Sequence, residues 1–539
     1  MKPVSVLTLL LIVFLLSCQN KTQVKRKTEK VEIDKSITQT NAFNNLFLDS
    51  NIIKDFIAKN SNYASYEKQF EDFYKSRNYE YAWFDTSGLA EQATNFVNLL
   101  STTIGDLNDS SLYNKKMMSL YNAFFTDSTK HREKSPLQTE LMLTGQFFKY
   151  ANKVYKGGDL DAEDLGWFIP RKKVDLTQLL DSVIANKGQN QDKYLPLNKQ
   201  YRDLQAALTQ YYNIQKGDSW DSLPFPQSTY KKGDASHTIR LIKHRLYLLG
   251  DLPEEDSTNR FDTATVAAVK SFQRRMGLPA NGVANVSFMK ELNYPIDDRV
   301  KQILINLERD RWMAAESDSN YILVNIPEYK LHVFDSGKLQ FDMNTIVGKD
   351  GTSTVIFTGK LKYIVFSPYW NLPASIVKKE VVPGIARDKN YIANHNMEIT
   401  GYSGGLPVVR QKPGDNNSLG NVKFLFPNNY DIYLHDTPNR SLFSATKRNF
   451  SHGCIRIQNP TKMALYLLRD DTTWTPQKVD SCMHLTNEKW VTLKKPVRVF
   501  IGYFTAWVDR NGKLNFRHDI YGHDEKMAEK LFAKNDKAM

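Results

Sequence analysis

The apolar residues of this 539-residue chain change their period once, near Tyr321. Before that point they recur at helical spacing. Leu141, Phe148, Ala151 and Tyr155 fall on one face, as do Val266, Val269, Phe272 and Met276. After it they alternate, in Tyr321–Ile326 and Lys330–Phe334, with Asp335-Ser336-Gly337-Lys338 as a hairpin turn before Leu339–Val347. A sequence patterned for one period does not settle into the other. The chain must therefore fold as a helical N-terminal part and a separate β-rich C-terminal part. A single core does not grow to this length, and about three domains are expected.

Within the helical part, residues 41–225 read as a scaffold with no chemical motif. Its aromatic stretch (Phe73-Tyr74, Tyr79, Tyr81, Trp83, Phe84) is expected in a core, with a turn at Asp85-Thr86-Ser87-Gly88. Lys156-Gly157-Gly158 ends a helix, and residues 222–232, with two prolines, read as a linker. Helices follow within 233–294, stopping at Gly250 and Gly277, and Asp297 to Met313 reads as a connecting helix. The β-rich part spans 320–505. Strands are expected at Leu361–Phe366, Val422–Phe426, Asp431–His435 and Val497–Tyr503, and a polar stretch at about 371–406 suggests a lid. Residues 506–539 hold a further hairpin around Asp509-Arg510-Asn511-Gly512, then a tail.

Lys2 precedes an apolar run, Val4 to Leu16, too short to span a bilayer and shaped like a secretory signal. Its end, Leu15-Leu16-Ser17-Cys18, resembles a bacterial lipobox. That resemblance implies a cleaved leader at 1–18, a lipidated Cys18, a tether at 19–40 and a membrane-anchored lipoprotein facing the periplasm. The competing reading is a simple cleaved signal with a stray cysteine. Lys and Arg exceed Asp and Glu by 72 − 59 = 13, which favours an anionic polymer or surface. Export and the lack of an arginine-rich reader segment argue against nucleic acid and for membrane or cell wall. Of three cysteines, Cys454 and Cys482 remain beside Cys18. An exported chain permits a disulfide between them; the reading preferred is a free Cys454 and a structural Cys482.

The chemistry concentrates in Ser451-His452-Gly453-Cys454-Ile455-Arg456-Ile457. A thiol is a nucleophile as thiolate, and neighbouring imidazole or N–H donors favour that form. Gly453 lets a substrate carbonyl approach the main chain, so the amides around Cys454 are candidate oxyanion donors. Arg456 offers a planar fork for a carboxylate, or equally a structural salt bridge. In Tyr430–His435, alternation puts Tyr433 and His435 on one face, with His435 at a strand mouth and any contact with Cys454 tertiary. Asn459 and Pro460 mark a helix start, so the loop is expected to run into a positive helix end.

Two resemblances follow from these residues. Leu249-Gly250, Phe261-Asp262, Thr265, Ala268-Val269, Phe272-Gln273, Gly277-Leu278 and Asn281-Gly282-Val283 resemble a three-helix peptidoglycan-binding domain over 233–294. His435, followed by Ser451-His452-Gly453-Cys454 and Arg456, resembles the signature of L,D-transpeptidases of the YkuD type. So do Ser367–Pro373, Arg410–Gly414, Leu419-Gly420, Val422–Phe424, Phe426-Pro427, Tyr433–Pro438 and Tyr503–Val508, as in that family's long, scaffold-bearing branch. The resemblance implies attack by Cys454 on a tetrapeptide stem, loss of D-alanine, a thioester, and its resolution by an amine of another stem. It implies His435 as base, His452 and Gly453 at the oxyanion site with Tyr433 as a weaker candidate, no cofactor, and carbapenem adducts at Cys454. Trp370 is a candidate cleft wall or a core residue, and Ser451 is expected to shape the loop.

Two rivals stand beside this reading. A zinc hydrolase would use His452, Cys454, Cys482 and His484, though their spacing matches no structural zinc pattern. A non-catalytic lipid-anchored tether to the wall would leave the complete Cys454/His435 pair without a use.

Overall fold

The computed structural model describes residues 46–125, 135–158, 160–189, 197–217, 220–225, 229–313 and 320–532. The expected leader, Cys18 and the tether lie outside the described residues. The described residues form two compact units: those of 46–93 with 117–145, and those of 94–116 with 146–532.

The first unit carries α1 (Ser50–Lys59), α2 (Glu67–Ser76) and a hairpin of β1 (Phe84–Asp85) with β2 (Gly88–Leu89) at the expected turn. Asp49 caps α1 by accepting from the Asn51 N–H. The aromatic stretch is core: Phe73, Tyr74, Trp83 and Phe84 are buried. A buried carboxylate, Glu140, satisfies the main chain between them, accepting from the Ala82 and Trp83 N–H groups at 2.7 and 2.9 Å and from the Tyr74 hydroxyl at 2.8 Å. Helices α3 (Glu91–Leu107), α4 (Lys115–Asn122) and α5 (Pro136–Ala151) complete this stretch of chain.

In the second unit, α6 (Leu176–Ala185) and α7 (Lys199–Gly217) precede three short helices, α8 (His237–Leu248), α9 (Thr263–Arg275) and α10 (Val286–Leu292). Ser236, Asp262 and Asn285 each cap one of these three with a side-chain oxygen. Their apolar faces (Ile239, Ile242, Leu246; Val269, Phe272; Phe288, Leu292) share one core with α7 and with α11 (Ile296–Trp312). That core also takes in Leu223, whose N–H and C=O are both bonded by the Asn293 side chain. The segment expected as a linker is thus fastened at both ends, Tyr230 pairing with Ala284.

From β3 (Tyr321–Asn325) onward the chain is a sheet with few helices. It comprises β4 (Lys330–Asp335), β5 (Lys338–Gly348), β6 (Phe357–Phe366), β10 (Val422–Leu425), β11 (Leu434–His435), β12 (Asn449–Ser451), β13 (Ile455–Ile457) and β14 (Lys489–Gly502). Among the described residues the order is β12-β5-β13-β11-β10-β6-β14-β3-β4, and a further β4–β5 pairing closes the sheet on itself. Between β6 and β10 sits the cap. Its strands β7 (Trp370–Asn371), β8 (Met397–Ser403) and β9 (Leu406–Gln411) pair in the order β7-β9-β8 over Leu372, Val377, Val381 and Val409. It is a small folded layer that reaches past residue 406. Helices α12 (Pro460–Leu468) and α13 (Pro476–Met483) cover the sheet, and β15 (Ala506–Val508), β16 (Leu514–Phe516) and α14 (His523–Phe532) close the chain. No described helix is long and apolar enough to cross a membrane.

One stretch of the part read as scaffold packs on the β-rich part: Leu165, Trp167 and Ile169 are buried in its core. The Phe168 N–H donates to the Ile356 carbonyl at 2.9 Å. This irregular stretch has no periodicity that would have named its partner.

Candidate active site

Strand register builds the site. β11 lies between β13, with which it is parallel (Leu434 beside Ile455, His435 beside Arg456), and β10, with which it is antiparallel (Lys423 beside His435). One step back, the Ile455 N–H donates to the Tyr433 carbonyl at 3.1 Å, which sets Cys454 alongside Tyr433. Side chains alternate along strands, so Tyr433, His435, Cys454 and Arg456 share one face, and Cys454 and His435 are diagonal neighbours across a strand spacing of about 4.8 Å. The expected strand over Asp431–His435 is shorter than read, because Asp431 turns left-handed at φ +54°. That turn aims the Asp431 carbonyl at Cys454, whose Sγ donates to it at 3.4 Å. Sequence reasoning missed Asp431; only the Asn428–Asp431 turn composition hinted at it.

His435 is buried, and its Nδ1 lies 2.5 Å from the Asp436 carbonyl. A carbonyl only accepts, so the Nδ1 facing Asp436 carries a proton, and the Leu419 carbonyl also takes a hydrogen bond from the ring. Burial, then the neighbouring Arg456 guanidinium and more weakly Lys423, push the imidazole pKa down to about 3. The ring is therefore neutral at rest. Asp436 is itself buried, accepting from the Asn421 and Thr437 N–H groups at 2.9 and 2.7 Å and pairing with Arg440 at 2.7 Å. Burial raises the Cys454 thiol, against hydrogen bonds from the Tyr433 N–H and hydroxyl that lower it. The same surroundings, burial first and then the sulfur, hold Tyr433 well above the ordinary phenol range.

Ser451 shapes the loop as expected: its Oγ donates to the Cys454 carbonyl at 2.6 Å and accepts from the Gly453 N–H at 3.2 Å. Gly453 has φ +115°, a backbone conformation that favours glycine. The Cys454 N–H has no acceptor among the described residues. The His452 side chain is exposed, so only its main chain is at the loop. Arg456 is half-buried. No carboxylate pairs with it among the described residues, and its Nε has no partner.

Other residues fall elsewhere. Trp370 is half-buried on the cap's own core. Cys482 is buried in α13, and it and Cys454 are both free thiols. The helix-end expectation needs correction: α12 begins at Pro460, with strand β13 between it and Cys454. At about 3.3 Å per strand residue the helix end is well beyond the first turn over which its field acts. The Asn459 side chain makes no capping bond either. Among the described residues no three of His, Cys, Asp and Glu are grouped to hold a metal ion. The cleft of about 1990 Å³ lies away from this site, lined by α9, α10, β3–β5 and the C-terminal hairpin.

Three family models match the chain: a scaffold domain over residues 68–208, a "Putative peptidoglycan binding domain" over 236–292, and the L,D-transpeptidase catalytic domain (YkuD) over 319–479. A curated protein of Haemophilus influenzae described as "Putative L,D-transpeptidase" is 34% identical over 224 residues, 39% of this chain and 45% of its own length. The chain thus spans under half of that relative. Among solved structures, an L,D-transpeptidase from Stackebrandtia nassauensis matches at 16% identity and a TM-score of 0.22, over 52% of this chain and 98% of that one. One from Mycobacterium smegmatis matches at 14% identity and a TM-score of 0.20, over 34% and 58%. Residues 319–479, with His435, Cys454 and Arg456 on one face of their sheet, are an L,D-transpeptidase catalytic domain of the YkuD type, carried with a scaffold domain and a peptidoglycan-binding domain.

Proposed function

We propose that this chain is a cysteine-dependent L,D-transpeptidase that cross-links peptidoglycan stems. The observation that carries the proposal is the β11–β13 register, which sets the Cys454 sulfur and the His435 ring on one face. Cys454 attacks the carbonyl joining the third stem residue to the terminal D-alanine. Its proton passes to the His435 imidazole, and the carbonyl oxygen becomes an oxyanion at the Cys454 N–H. Collapse breaks the amide, D-alanine leaves with the proton from His435, and a thioester remains. A side-chain amine of a second stem then attacks the thioester, gives its proton to His435, and releases the thiol as the new amide forms.

A neutral imidazole suits this cycle, since it must accept a proton before it donates one. Arg456, a cation without a carboxylate partner, suits a substrate carboxylate. The peptidoglycan-binding helices hold the polymer, and a lipid on Cys18 keeps the enzyme at a membrane facing the periplasm. Intact-mass analysis after mixing the purified protein with tetrapeptide muropeptides tests the proposal. The expected result is a thioester adduct on the wild type and none on Cys454→Ala, with cross-linked dimers at longer times. A wild type that stays unmodified, with its thiol demonstrably free, rules it out.

A further inference from the structure

The turn between β5 and β6 is clamped onto the main chain of the Cys454 loop. Thr354 Oγ1 donates to the Gly453 carbonyl at 2.8 Å and accepts from the Gly348 N–H at 2.9 Å. The Ser451 carbonyl accepts from the Lys349 N–H at 2.9 Å and from Thr352 Oγ1 at 3.2 Å. Behind the turn stands Tyr521, whose hydroxyl donates to the Gly348 carbonyl and accepts from the Thr354 N–H at 3.4 Å. Tyr521 is held in turn: its N–H donates to the Tyr503 hydroxyl at 2.9 Å, and that hydroxyl donates to Asp519 at 2.6 Å. The turn is tight enough that a Cβ on Gly348 would meet the Thr352 carbonyl oxygen at 2.1 Å, so only glycine fits there. Tyr521 lies more than forty residues beyond the matched catalytic domain, which ends at 479.

The Gly453 carbonyl and the Cys454 N–H belong to one planar trans peptide and point in opposite directions. Fixing the carbonyl therefore fixes the direction of the N–H, and a hydroxyl bonded to the oxygen polarises the peptide and strengthens the N–H as a donor. We propose that Thr354 and Tyr521 are positioning residues that brace the Gly453–Cys454 peptide, so that the Cys454 N–H is held ready for the oxyanion of acyl transfer. This rests on the acyl-transfer reading above. Thr354 acts through the main chain of the loop, and Tyr521 through the turn that carries Thr354.

The test compares two reactions of the same sulfur. Acylation by a carbapenem builds an oxyanion, whereas alkylation by iodoacetamide does not. Thr354→Val removes the hydroxyl and keeps the shape, Thr354→Ser keeps the hydroxyl, and Tyr521→Phe removes only the phenolic oxygen. The expected result is acylation slowed about 10- to 100-fold in Thr354→Val and several-fold in Tyr521→Phe. Thr354→Ser should stay within about threefold of wild type, and iodoacetamide rates should be unchanged throughout. Acylation unchanged in Thr354→Val overturns the brace. So does a parallel fall of both reactions, which marks general loss of loop structure. A wild type alkylated at Cys454 but never acylated removes the acyl-transfer reading itself, and the brace with it.

Discussion

A protonated Cys454 beside a neutral His435 makes a resting site without an ion pair. Both groups are moved the same way, away from charge, by burial, and the cations Arg456 and Lys423 push the imidazole further. Alkylation of Cys454 by iodoacetamide should therefore rise about tenfold per pH unit from 7 to 9, with no plateau near neutrality. A plateau between pH 6 and 7 would signal a thiolate–imidazolium pair. His435→Asn should slow acylation by a substrate or carbapenem about 10²- to 10⁴-fold while the protein still alkylates at pH 9. The depressed imidazole also links folding to pH. Between an unfolded value near 6.5 and the folded value of about 3, the unfolded chain binds the proton and the native one does not. Stability from this residue is thus complete above pH 6.5 and falls as pH drops toward 3, which urea titrations of wild type and His435→Asn at pH 7 and 5 would show as converging midpoints.

At the level of elements, β11 is a two-residue strand fixed by its flanks, and Asp436 is the chief fastener just beyond it. Asp436→Ala strands the Asn421 and Thr437 N–H groups and should cost about 1–3 kcal/mol in urea unfolding. It should slow acylation too, since the neighbouring carbonyl holds the His435 tautomer. Much of this layout was legible beforehand. Alternation placed β3, β4 and β5 to within a residue or two, and Asp335–Lys338 marked their turn because glycine and polar residues suit it. The share of a face by Tyr433 and His435 was readable from period two alone. The pairing of β11 with β13 was not, since a parallel register between segments so far apart in the chain leaves no local trace. Asp431, Lys423 and Thr354 were missed for the same reason: their part comes from neighbours brought in by the fold. The strand between Cys454 and α12 was overlooked because Ile455-Arg456-Ile457 is too short to announce a period.

Across the second unit, α11 is the common wall. Asn306, fully buried, donates to Thr505 Oγ1 at 2.7 Å and accepts from the Thr505 N–H at 3.0 Å. Arg309 pairs with Asp524 at 2.6 Å. The peptidoglycan-binding helices and the catalytic sheet both pack on this helix, so they should lose structure together. Asn306→Ala should destabilise the unit by about 1–3 kcal/mol, with hydrogen exchange accelerating by the same factor in α9 and β14. Exchange confined to one of the two would show that they unfold independently. Trp167 carries a consequence of another kind. Its ring lies edge-on to Trp312 and Phe504, centroids 5.6 and 5.9 Å away, inside the core of the β-rich part. A piece excised at the edges that sequence similarity draws, beginning near residue 319, leaves that socket empty and its apolar lining wet. Such a cassette should aggregate on expression, and grafts between relatives should succeed only when the stretch around residues 160–169 travels with its host.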